Sequence, residues 1–410
     1  MYLCTMKFED YHITEEIKLC LAKKGYKRPT DIQFKSIPPI MKGEDLLAIA
    51  QTGTGKTAAF AIPILDKLQR KKKKGRKDGI KCIVMAPTRE LALQIATEFT
   101  DLGKHTGVKA YAVHGGVDQD PQIGKLQAGI DILIATPGRM FDLASQGFID
   151  FHRVEILVLD EADHMLEKGF YKDITDLIRF LPKNRQTLYF SATIDKKIKK
   201  LAYSLVRNPI RIQLSPKDPV AKNVDHYVIK MPMDDKRFFL ERMVQENPDS
   251  KILVFVRTKV RAERVMKAME RVNIPARTMH GDKDQSERMK SLDLFKQGKY
   301  KMLIATDVTA RGIDIPDVEF VVNYDLPEID EFYVHRVGRT GRGKNKGVAY
   351  SFCSPEEEIL LEKIEEYLGK NITEIRLAKD VYTEVKDLTS ENELNMNYIE
   401  EMVRKGKTDL

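Results

Sequence analysis

The sequence is poor in cysteine and has no long apolar run. Its four cysteines are Cys4, Cys20, Cys82 and Cys353, and none stands in the close pair that a zinc site or a redox couple requires. This excludes a disulfide-bonded scaffold and favours a reducing compartment. No segment approaches the roughly 20 apolar residues of a membrane span, and the N-terminal residues lack the apolar core of a secretion signal. We therefore expect a cytoplasmic protein that does not cross a membrane.

Charge of either sign is also in little excess. The chain has 69 basic and 61 acidic residues and a net charge of +8, which suits a polyanionic partner without establishing one. Its 42% hydrophobic residues are enough for a core, and this excludes wholesale disorder or a collagen-like chain. At roughly 100–200 residues per domain, 410 residues predict two or three folded units.

Short apolar runs rich in β-branched residues alternate with helical patterns in two blocks. The first block contains IKCIVMAP, VKAYAVHG, DILIATP, VEILVLDEAD and QTLYFSAT, and the second contains KILVFVRT, IPARTMHG, KMLIATDV, VEFVVNYD and GVAYSFCS. This alternation predicts an α/β fold of two tandem units, each a mostly parallel sheet flanked by helices. Ligands of such sheets bind outside the carboxyl ends of the strands, so we expect functional residues there.

The predicted boundaries follow from where this alternation breaks. Residues 208–222 keep no periodicity, and Pro216 and Pro219 interrupt any helix there, so they are predicted to link an N-terminal unit, 1–207, to a C-terminal unit, 223–372. A Ser-Pro dipeptide and a following glycine bound a helix predicted over Ser354–Leu368. Residues 373–410 are expected to form a short tail with one helix that begins at a capping box, Ser390-x-x-Glu393.

A glycine-rich segment predicts a nucleotide-binding site. AQTGTGKT, residues 50–57, follows the apolar run DLLAIA and precedes a helical pattern, which is the context of a phosphate-binding loop (P-loop). The glycines let backbone N–H groups approach phosphate oxygens, Lys56 can reach the β- and γ-phosphates, and Thr57 can offer a hydroxyl to Mg²⁺. Ala50 replaces the first glycine of the general pattern. The predicted nucleotide-binding residues of this segment are Gln51, Thr52, Gly53, Thr54, Gly55, Lys56 and Thr57.

Nucleotide hydrolysis also needs a carboxylate for the metal and a group that positions water. The run VEILVLDEAD supplies both, with Asp160 as the Mg²⁺ ligand and Glu161 as the residue that orients and deprotonates the attacking water. Carboxylates at strand ends also occur as helix caps, but the P-loop makes the catalytic interpretation the better one. The predicted catalytic core is therefore Lys56, Asp160 and Glu161.

The tetrapeptide Asp160–Asp163 spells D-E-A-D, and the sequence resembles the DEAD-box RNA helicases of superfamily 2 from about Phe8 to Leu368. The resemblance implies two RecA-like domains that bind ATP, Mg²⁺ and RNA, hydrolyse ATP and unwind short duplexes locally. It also implies that GYKRPTDIQ is the Q motif, in which Gln33 hydrogen-bonds adenine while the upstream Phe8 stacks on the base. Tyr26 stands where the family usually has phenylalanine.

The same resemblance assigns further nucleotide contacts. Residues 191–193, Ser-Ala-Thr, match motif III, which links the ATP site to work on RNA. In HRVGRTGR, motif VI, Arg339 and Arg342 are implied to reach the γ-phosphate when the domains close. Asp314 matches the motif V carboxylate, which contacts the ribose.

RNA-binding residues are implied by the motifs Ia, GG and Ib of the first unit and by motif IV, QxxR and motif V of the second. Most are small residues, amides and arginines, which suit phosphates and 2′-hydroxyls better than base edges, so we expect weak sequence selectivity. Taken singly, PTRE and TPGR would be plain helix starts. The set is Pro87, Thr88, Arg89, Gly115, Gly116, Thr136, Pro137, Gly138, Arg139, Arg257, Thr258, Gln285, Arg288, Thr306 and Arg311.

Several alternatives stay open at this point. The basic run Lys71–Lys77 is typical of a solvated loop, with an auxiliary RNA contact as the other interpretation. An ATP-regulated RNA clamp without productive unwinding would have the same motifs. A P-loop kinase or a DNA motor shares AQTGTGKT but gives no reason for the Q, GG and TPGR motifs. The sequence does not identify the RNA that is bound. A monomer is the default oligomeric state. The protein partners considered are those of ribosome assembly or RNA decay.

Overall fold

The computed structural model describes residues 6–50, 53–72, 79–193, 196–214, 220, 223–310, 315, 317–341, 346–376, 382, 383 and 385. The chain divides into two compact units, Met1–Ser215 and Pro216–Leu410. Each unit has its own sheet of seven parallel strands, so the predicted fold of two tandem α/β units is confirmed.

The first unit has the strand order β3-β4-β2-β5-β6-β1-β7. Its strands are β1 (Leu46–Ala50), β2 (Cys82–Met85), β3 (Ala110–Val113), β4 (Ile132–Ala135), β5 (Ile156–Leu159), β6 (Gln186–Ser191) and β7 (Ile210–Leu214). Its helices are α1 (Glu15–Lys23), α2 (Asp31–Lys42), α3 (Lys56–Lys71), α4 (Arg89–Leu102), α5 (Asp120–Gln127), α6 (Pro137–Ser145), α7 (Ala162–Glu167), α8 (Tyr171–Phe180) and α9 (Lys196–Leu205).

The central strands of this sheet are buried on both faces. In β5, Ile156 and Val158 pack into one hydrophobic cluster, while Leu157 and Leu159 pack into the cluster on the opposite face. Successive side chains of a strand point to opposite faces, so a strand covered on both sides must be apolar at every position. This is why the central strands read as unbroken apolar runs in the sequence.

The second unit repeats the arrangement with the order β10-β11-β9-β12-β13-β8-β14. Its strands are β8 (Val224–Lys230), β9 (Ile252–Phe255), β10 (Ala276–Met279), β11 (Met302–Ala305), β12 (Phe320–Asn323), β13 (Gly347–Cys353) and β14 (Thr373–Glu374). Its helices are α10 (Lys236–Glu246), α11 (Lys259–Arg271), α12 (Gln285–Lys296), α13 (Asp307–Ala310), α14 (Asp330–Val337) and α15 (Glu358–Leu368). A 3₁₀ turn over Pro355–Glu357 precedes α15, and Gly369 ends it in the left-handed conformation, as the sequence predicts.

The structure differs from the predicted boundaries at two places. β7 lies inside the segment predicted as a linker. It pairs with β1 at the edge of the sheet, and Ile212 is its one buried residue. β14 lies in the predicted tail and pairs with β8, and the Tyr382 ring packs 5.3 Å from the Phe239 ring. The helix predicted from Ser390 lies outside the described residues. Across the described ranges, no helix is long and apolar enough to cross a membrane.

Candidate nucleotide and RNA sites

The strand order of the first unit sorts the predicted motifs into two groups. The P-loop follows β1, the DEAD tetrapeptide follows β5 and the Ser-Ala-Thr motif ends β6, and these three strands are neighbours. PTRE follows β2, the GG pair follows β3 and TPGR follows β4, which are neighbours on the other half of the sheet. All pairs are parallel, so both groups lie on the carboxyl edge, with nucleotide motifs on one half and RNA motifs on the other.

The P-loop leads directly into α3. Gly55, the N-cap residue, has φ +91° in the left-handed region, and Gly53 has φ +79°. Lys56 begins the helix with its side chain buried, and its Nζ has no hydrogen-bond partner among the described residues. A buried ammonium without a partner is costly, and a phosphate group would satisfy it.

Gln33 ties the Q motif to the P-loop. Its Oε1 accepts a hydrogen bond from the Thr30 N–H at 2.9 Å, and its Nε2 donates to the Gly55 carbonyl at 3.1 Å. A Cβ added at Gly55 would lie 2.5 Å from Gln33 Nε2, so any other residue would displace this amide and also strain the backbone at φ +91°. One N–H and one lone pair of the Gln33 amide are left for the donor and acceptor of an adenine edge.

The two carboxylates predicted to be catalytic follow β5 on the same edge. Burial raises the pKa of Asp160 to about 6, with the Lys56 ammonium opposing the rise. Glu161 has φ +50°, a left-handed conformation that is uncommon for glutamate and that clusters at functional sites. The Glu161 N–H donates to Asp160 Oδ1 at 3.0 Å, and its Oε2 lies 3.6 Å from His164 Nδ1. The turn therefore fixes the two carboxylates relative to each other.

Asp163 connects the DEAD tetrapeptide to motif III. Its Oδ2 accepts hydrogen bonds from the N–H groups of Ala192 and Thr193 at 2.9 and 3.0 Å and from the Thr193 hydroxyl at 3.3 Å. Its Oδ1 accepts from the His164 N–H at 3.0 Å. One buried side chain therefore joins the turn after β5 to the end of β6.

A magnesium site formed by Thr57 and Asp160 fits the donors present. Both offer oxygen ligands, which Mg²⁺ prefers, and Asp160 is buried beside a lone ammonium. Within the described ranges, no three His, Cys, Asp or Glu side chains are grouped so that they could hold a metal. Mg²⁺ usually binds through one or two protein ligands together with substrate phosphates, so a threonine hydroxyl and one carboxylate are a sufficient protein contribution.

The RNA motifs of the first unit surround the Gly115–Gly116 turn. Gly116 has φ +76°, and a Cβ there would collide with the Arg89 guanidinium. Arg139 donates from Nη2 to the Val117 carbonyl at 3.0 Å. Thr88 caps α4 through its Oγ1, and Pro137 begins α6 after Thr136. The sheet order and these contacts bring motifs Ia, GG and Ib together.

The second unit sorts its motifs in the same way. Motif IV follows β9, the QxxR element begins α12 after β10, and the motif V residue Thr306 follows β11, on three neighbouring strands. Motif VI lies at the end of α14, which follows β12 on the other half. The side chains of Gln285 and Arg288 hydrogen-bond each other, and Thr306 Oγ1 lies 3.3 Å from Thr309 Oγ1.

Motif IV is held by a buried carboxylate. Arg257 donates from Nη2 to Glu357 Oε1 at 2.9 Å, so its guanidinium is partly occupied within the chain. Glu357 also accepts from the Leu326 N–H at 3.1 Å and forms an ion pair with the fully buried Lys236. Thr258 caps α11 through its Oγ1.

Two arginines of motif VI, Arg336 and Arg339, are almost fully buried. Arg336 forms a two-pronged ion pair with Asp307, at 2.6 Å from Nε and 2.7 Å from Nη2. Arg339 is 2% exposed, and its Nε donates to the His335 carbonyl at 3.0 Å. The Arg339 side chain is therefore almost fully covered in this conformation.

Phe8 and Tyr26 belong to the described part of the chain, whereas several other predicted residues do not. Phe8 is 3% exposed and packs with Tyr11 in a core cluster, which leaves its ring almost no free face for adenine. Tyr26 is partly exposed, with its hydroxyl 3.5 Å from Glu98. Outside the described residues are Gln51, Thr52, residues 73–77 of the basic run, Arg311, Asp314 and Arg342.

Sequence reasoning left four residues of this framework without a role. Asp163 and Arg336 lie inside motifs that were recognised, so the motif letters were a signal. Asp307 and Glu357 had none, because their partners are about 30 and 100 residues away in sequence. The strand order of the sheet brings these residues together, and a single sequence does not reveal that order.

Comparison with known proteins defines the class. The DEAD/DEAH box helicase family model matches residues 30–201, and that of the helicase conserved C-terminal domain matches residues 235–344. Among relatives, the ATP-dependent RNA helicase RhlB of Shewanella woodyi is 41% identical over 375 residues, covering 90% of this chain and 85% of that protein. The RhlB of Shewanella amazonensis is 38% identical over 388 residues, covering 94% and 88%.

Solved structures agree. S. cerevisiae Dbp5 bound to RNA and ADP BeF3 has a TM-score of 0.83 and 29% identity, covering 94% of this chain and 100% of that chain. Mss116 bound to ssRNA and UDP-BeF has a TM-score of 0.83 and 28% identity, covering 94% and 82%. The chain belongs to the DEAD-box family of helicases. It is an ATP-dependent RNA helicase, and therefore an ATPase, most of whose length aligns with the RhlB proteins of Shewanella.

Proposed function

We propose that the carboxyl edge of β1, β5 and β6 is the ATPase centre and that the neighbouring half of the edge holds RNA. The observation that carries the first assignment is the buried Lys56 ammonium, which has no hydrogen-bond partner among the described residues, beside the buried Asp160. Lys56 binds the β- and γ-phosphates together with the P-loop N–H groups. The free donor and acceptor of Gln33 bind the adenine edge.

Hydrolysis then proceeds by attack of a water on the γ-phosphate. Glu161 takes a proton from that water as the new O–P bond forms and the bond to the bridging oxygen of ADP breaks. Thr57 and Asp160 would hold Mg²⁺, and the ion would supply charge neutralisation at the phosphate oxygens. Arg339 and Arg342 of the second unit complete the charge stabilisation, and supplying such an arginine changes turnover by on the order of 10³–10⁵.

RNA binds through its sugar-phosphate backbone. Arg89, Arg139 and the N-caps of α4 and α6 offer guanidinium and N–H donors at the edge of the first unit. Thr258, Arg288 and Thr306 offer the equivalent groups in the second unit. These groups read phosphates and 2′-hydroxyls, so binding follows backbone shape more than sequence. Local unwinding of short duplexes, a cytoplasmic location and partners in ribosome assembly or RNA decay remain predictions.

The test is Glu161→Gln. The amide keeps the size of the side chain but cannot accept the proton, so ATP and RNA should still bind while turnover falls by about 10²–10⁴. Turnover is measured by phosphate release at saturating RNA, and ATP binding by titration with a fluorescent nucleotide. Glu44→Gln, an exposed residue just before β1 on the opposite edge of the sheet, is the control and should keep full activity. Hydrolysis by Glu161→Gln at the rate of this control would exclude the base role.

A strand-displacement assay beside the ATPase assay separates unwinding from clamping. An enzyme that unwinds releases the labelled strand of a short duplex while ATP is consumed. A clamp would bind RNA in the presence of ATP and release no strand. Release of the strand only when hydrolysis is intact would support the unwinding activity proposed here.

A further inference from the structure

Helix α11 carries positive charge on its outer face. Its inner residues Ala262, Val265 and Met269 recur at helical spacing and pack against the core. The exposed positions between them are cationic at spacings of three and four residues. With a rise of 1.5 Å per residue they form a row about 10 Å long. This cationic stripe consists of Arg264, Lys267 and Arg271.

The stripe is not neutralised within the described part of the chain. No described carboxylate oxygen lies within 4.0 Å of its three cationic groups. The two preceding cations of the same helix are different, since Lys259 pairs with Asp282 at 2.6 Å and Arg261 with Asp325 at 3.1 Å. The charge available to a partner therefore lies beyond the first turn of the helix.

The acids of α11 do not offset this charge fully. Glu263 is turned to His280, with Oε1 2.8 Å from Nε2. Glu270 is exposed and is the remaining acid, against five basic residues in the helix. Like charges three or four residues apart destabilise a helix in isolation. The stripe is thus a local cost to α11 that a polyanion would relieve.

The corresponding helix of the first unit shows that packing does not require these cations. α4 follows β2 as α11 follows β9, and each is capped by a threonine Oγ1, that of Thr88 or Thr258. In α4 the outward charges near the end are acidic, and Lys24 of α1 binds both Glu98 and Asp101, at 2.9 and 2.8 Å. The same fold position therefore carries opposite charge in the two units.

We propose that the cationic stripe of α11 is an auxiliary RNA-binding surface that takes the phosphodiester backbone of a strand extending beyond motif IV. α11 begins immediately after Arg257 and Thr258, so the stripe continues from the proposed RNA groove of this unit. Arginine binds phosphate in a two-pronged manner, and three spaced cations fit a repeating polyanion of any sequence. The inference rests on the RNA groove proposed above, and it assigns to the second unit a site for longer strands.

The test compares two triple variants of the full chain with equal loss of charge, from +8 to +5. One is Arg264→Gln/Lys267→Gln/Arg271→Gln, and the other is the control Lys172→Gln/Lys299→Gln/Lys363→Gln, at exposed lysines that are not part of α11. Affinity for single-stranded RNA is measured by anisotropy over a series of lengths and salt concentrations. Each phosphate contact contributes about 0.7 to the slope of log affinity against log salt for a single strand.

The stripe variant should bind long strands about tenfold more weakly than the control, with a salt slope smaller by about two. Strands just long enough to fill the motif groove should bind both variants alike. Arg264→Lys/Arg271→Lys, which keeps the charge, should retain most of the long-strand affinity. Equal affinities and slopes for the two triple variants at every length would overturn the proposal. The proposal would also be overturned if the stripe variant lost binding of an acidic protein but bound RNA as the control does. Failure of the unaltered protein to bind short strands would instead contradict the groove.

Discussion

Individual charged residues are where the sequence was least informative. Lys236 and Glu357 are both buried, and they belong to one network with Arg257, although 121 residues separate the lysine from the glutamate. A charged residue taken alone is best assigned to the surface, because burial of an unpaired charge is costly. Only the fold pairs these residues, so a single sequence could not reveal the network that supports motif IV.

Glu357→Gln should therefore be strongly destabilising. The carboxylate accepts hydrogen bonds from Arg257, Leu326 and Ser354 besides pairing with Lys236, and its neutral amide leaves the buried ammonium uncompensated. Breaking a buried pair in this way costs about 3–5 kcal/mol. Chemical denaturation of the second unit measures the loss. Glu356→Gln, at the exposed neighbouring position, should change stability by less than about 0.5 kcal/mol, and equal effects of the two changes would refute the buried pair.

Asp160 should make stability depend on pH in the absence of nucleotide. Its folded pKa, raised to about 6 by burial, lies above the ordinary value near 3.8, so the folded state binds the proton more tightly. Its favourable contribution is then complete below pH about 4 and is lost as pH rises through 6. Asp160→Asn should match the parent protein at low pH and exceed its melting temperature increasingly between pH 4 and 6, with a constant gain above. A gain that shrinks as pH rises would contradict the raised pKa.

At the scale of elements, strongly patterned segments were predicted well and edge strands were not. The central strands are continuous apolar runs because both of their faces are covered. These runs made it possible to predict the two tandem α/β units and to place a motif at the end of each strand. β7 and β14 lie at sheet edges, where one or no side chain is buried, so nothing in their sequences distinguishes them from linker or tail. The division of the motifs between the two halves of the sheet could not be predicted either, because it depends on the strand order.

Asp163→Ala tests the connection between α7 and the end of β6. It removes the acceptor of two backbone N–H groups in motif III, and such unsatisfied groups cost about 1–3 kcal/mol each. We expect lower stability of the first unit and loss of strand displacement beyond the loss of ATP hydrolysis. Thr193→Val removes only the hydroxyl contact at 3.3 Å and serves as the control. Displacement and hydrolysis reduced in equal proportion would argue against a coupling role.

The whole molecule consists of two units with separate cores. Two hydrophobic clusters lie on the two faces of the first sheet, and two others lie on the faces of the second. Both units are of ordinary domain size, so each unit is expected to fold alone. In the proposed assignment, however, the P-loop and the catalytic carboxylates belong to the first unit, whereas Arg339 and Arg342 belong to the second. In this assignment folding is a property of each unit, whereas catalysis depends on residues of both.

Separation of the units should therefore abolish RNA-stimulated hydrolysis without unfolding either part. Residues 1–215, produced alone, should show a cooperative melting transition and bind ATP, but their turnover should fall by on the order of 10³ or more, as when an arginine finger is removed. Phosphate release with and without RNA measures this, with the full chain as reference. Arg339→Gln in the full chain should reproduce much of the loss. If the isolated fragment consumed ATP as fast as the full chain with RNA, the second unit would have no part in the chemistry.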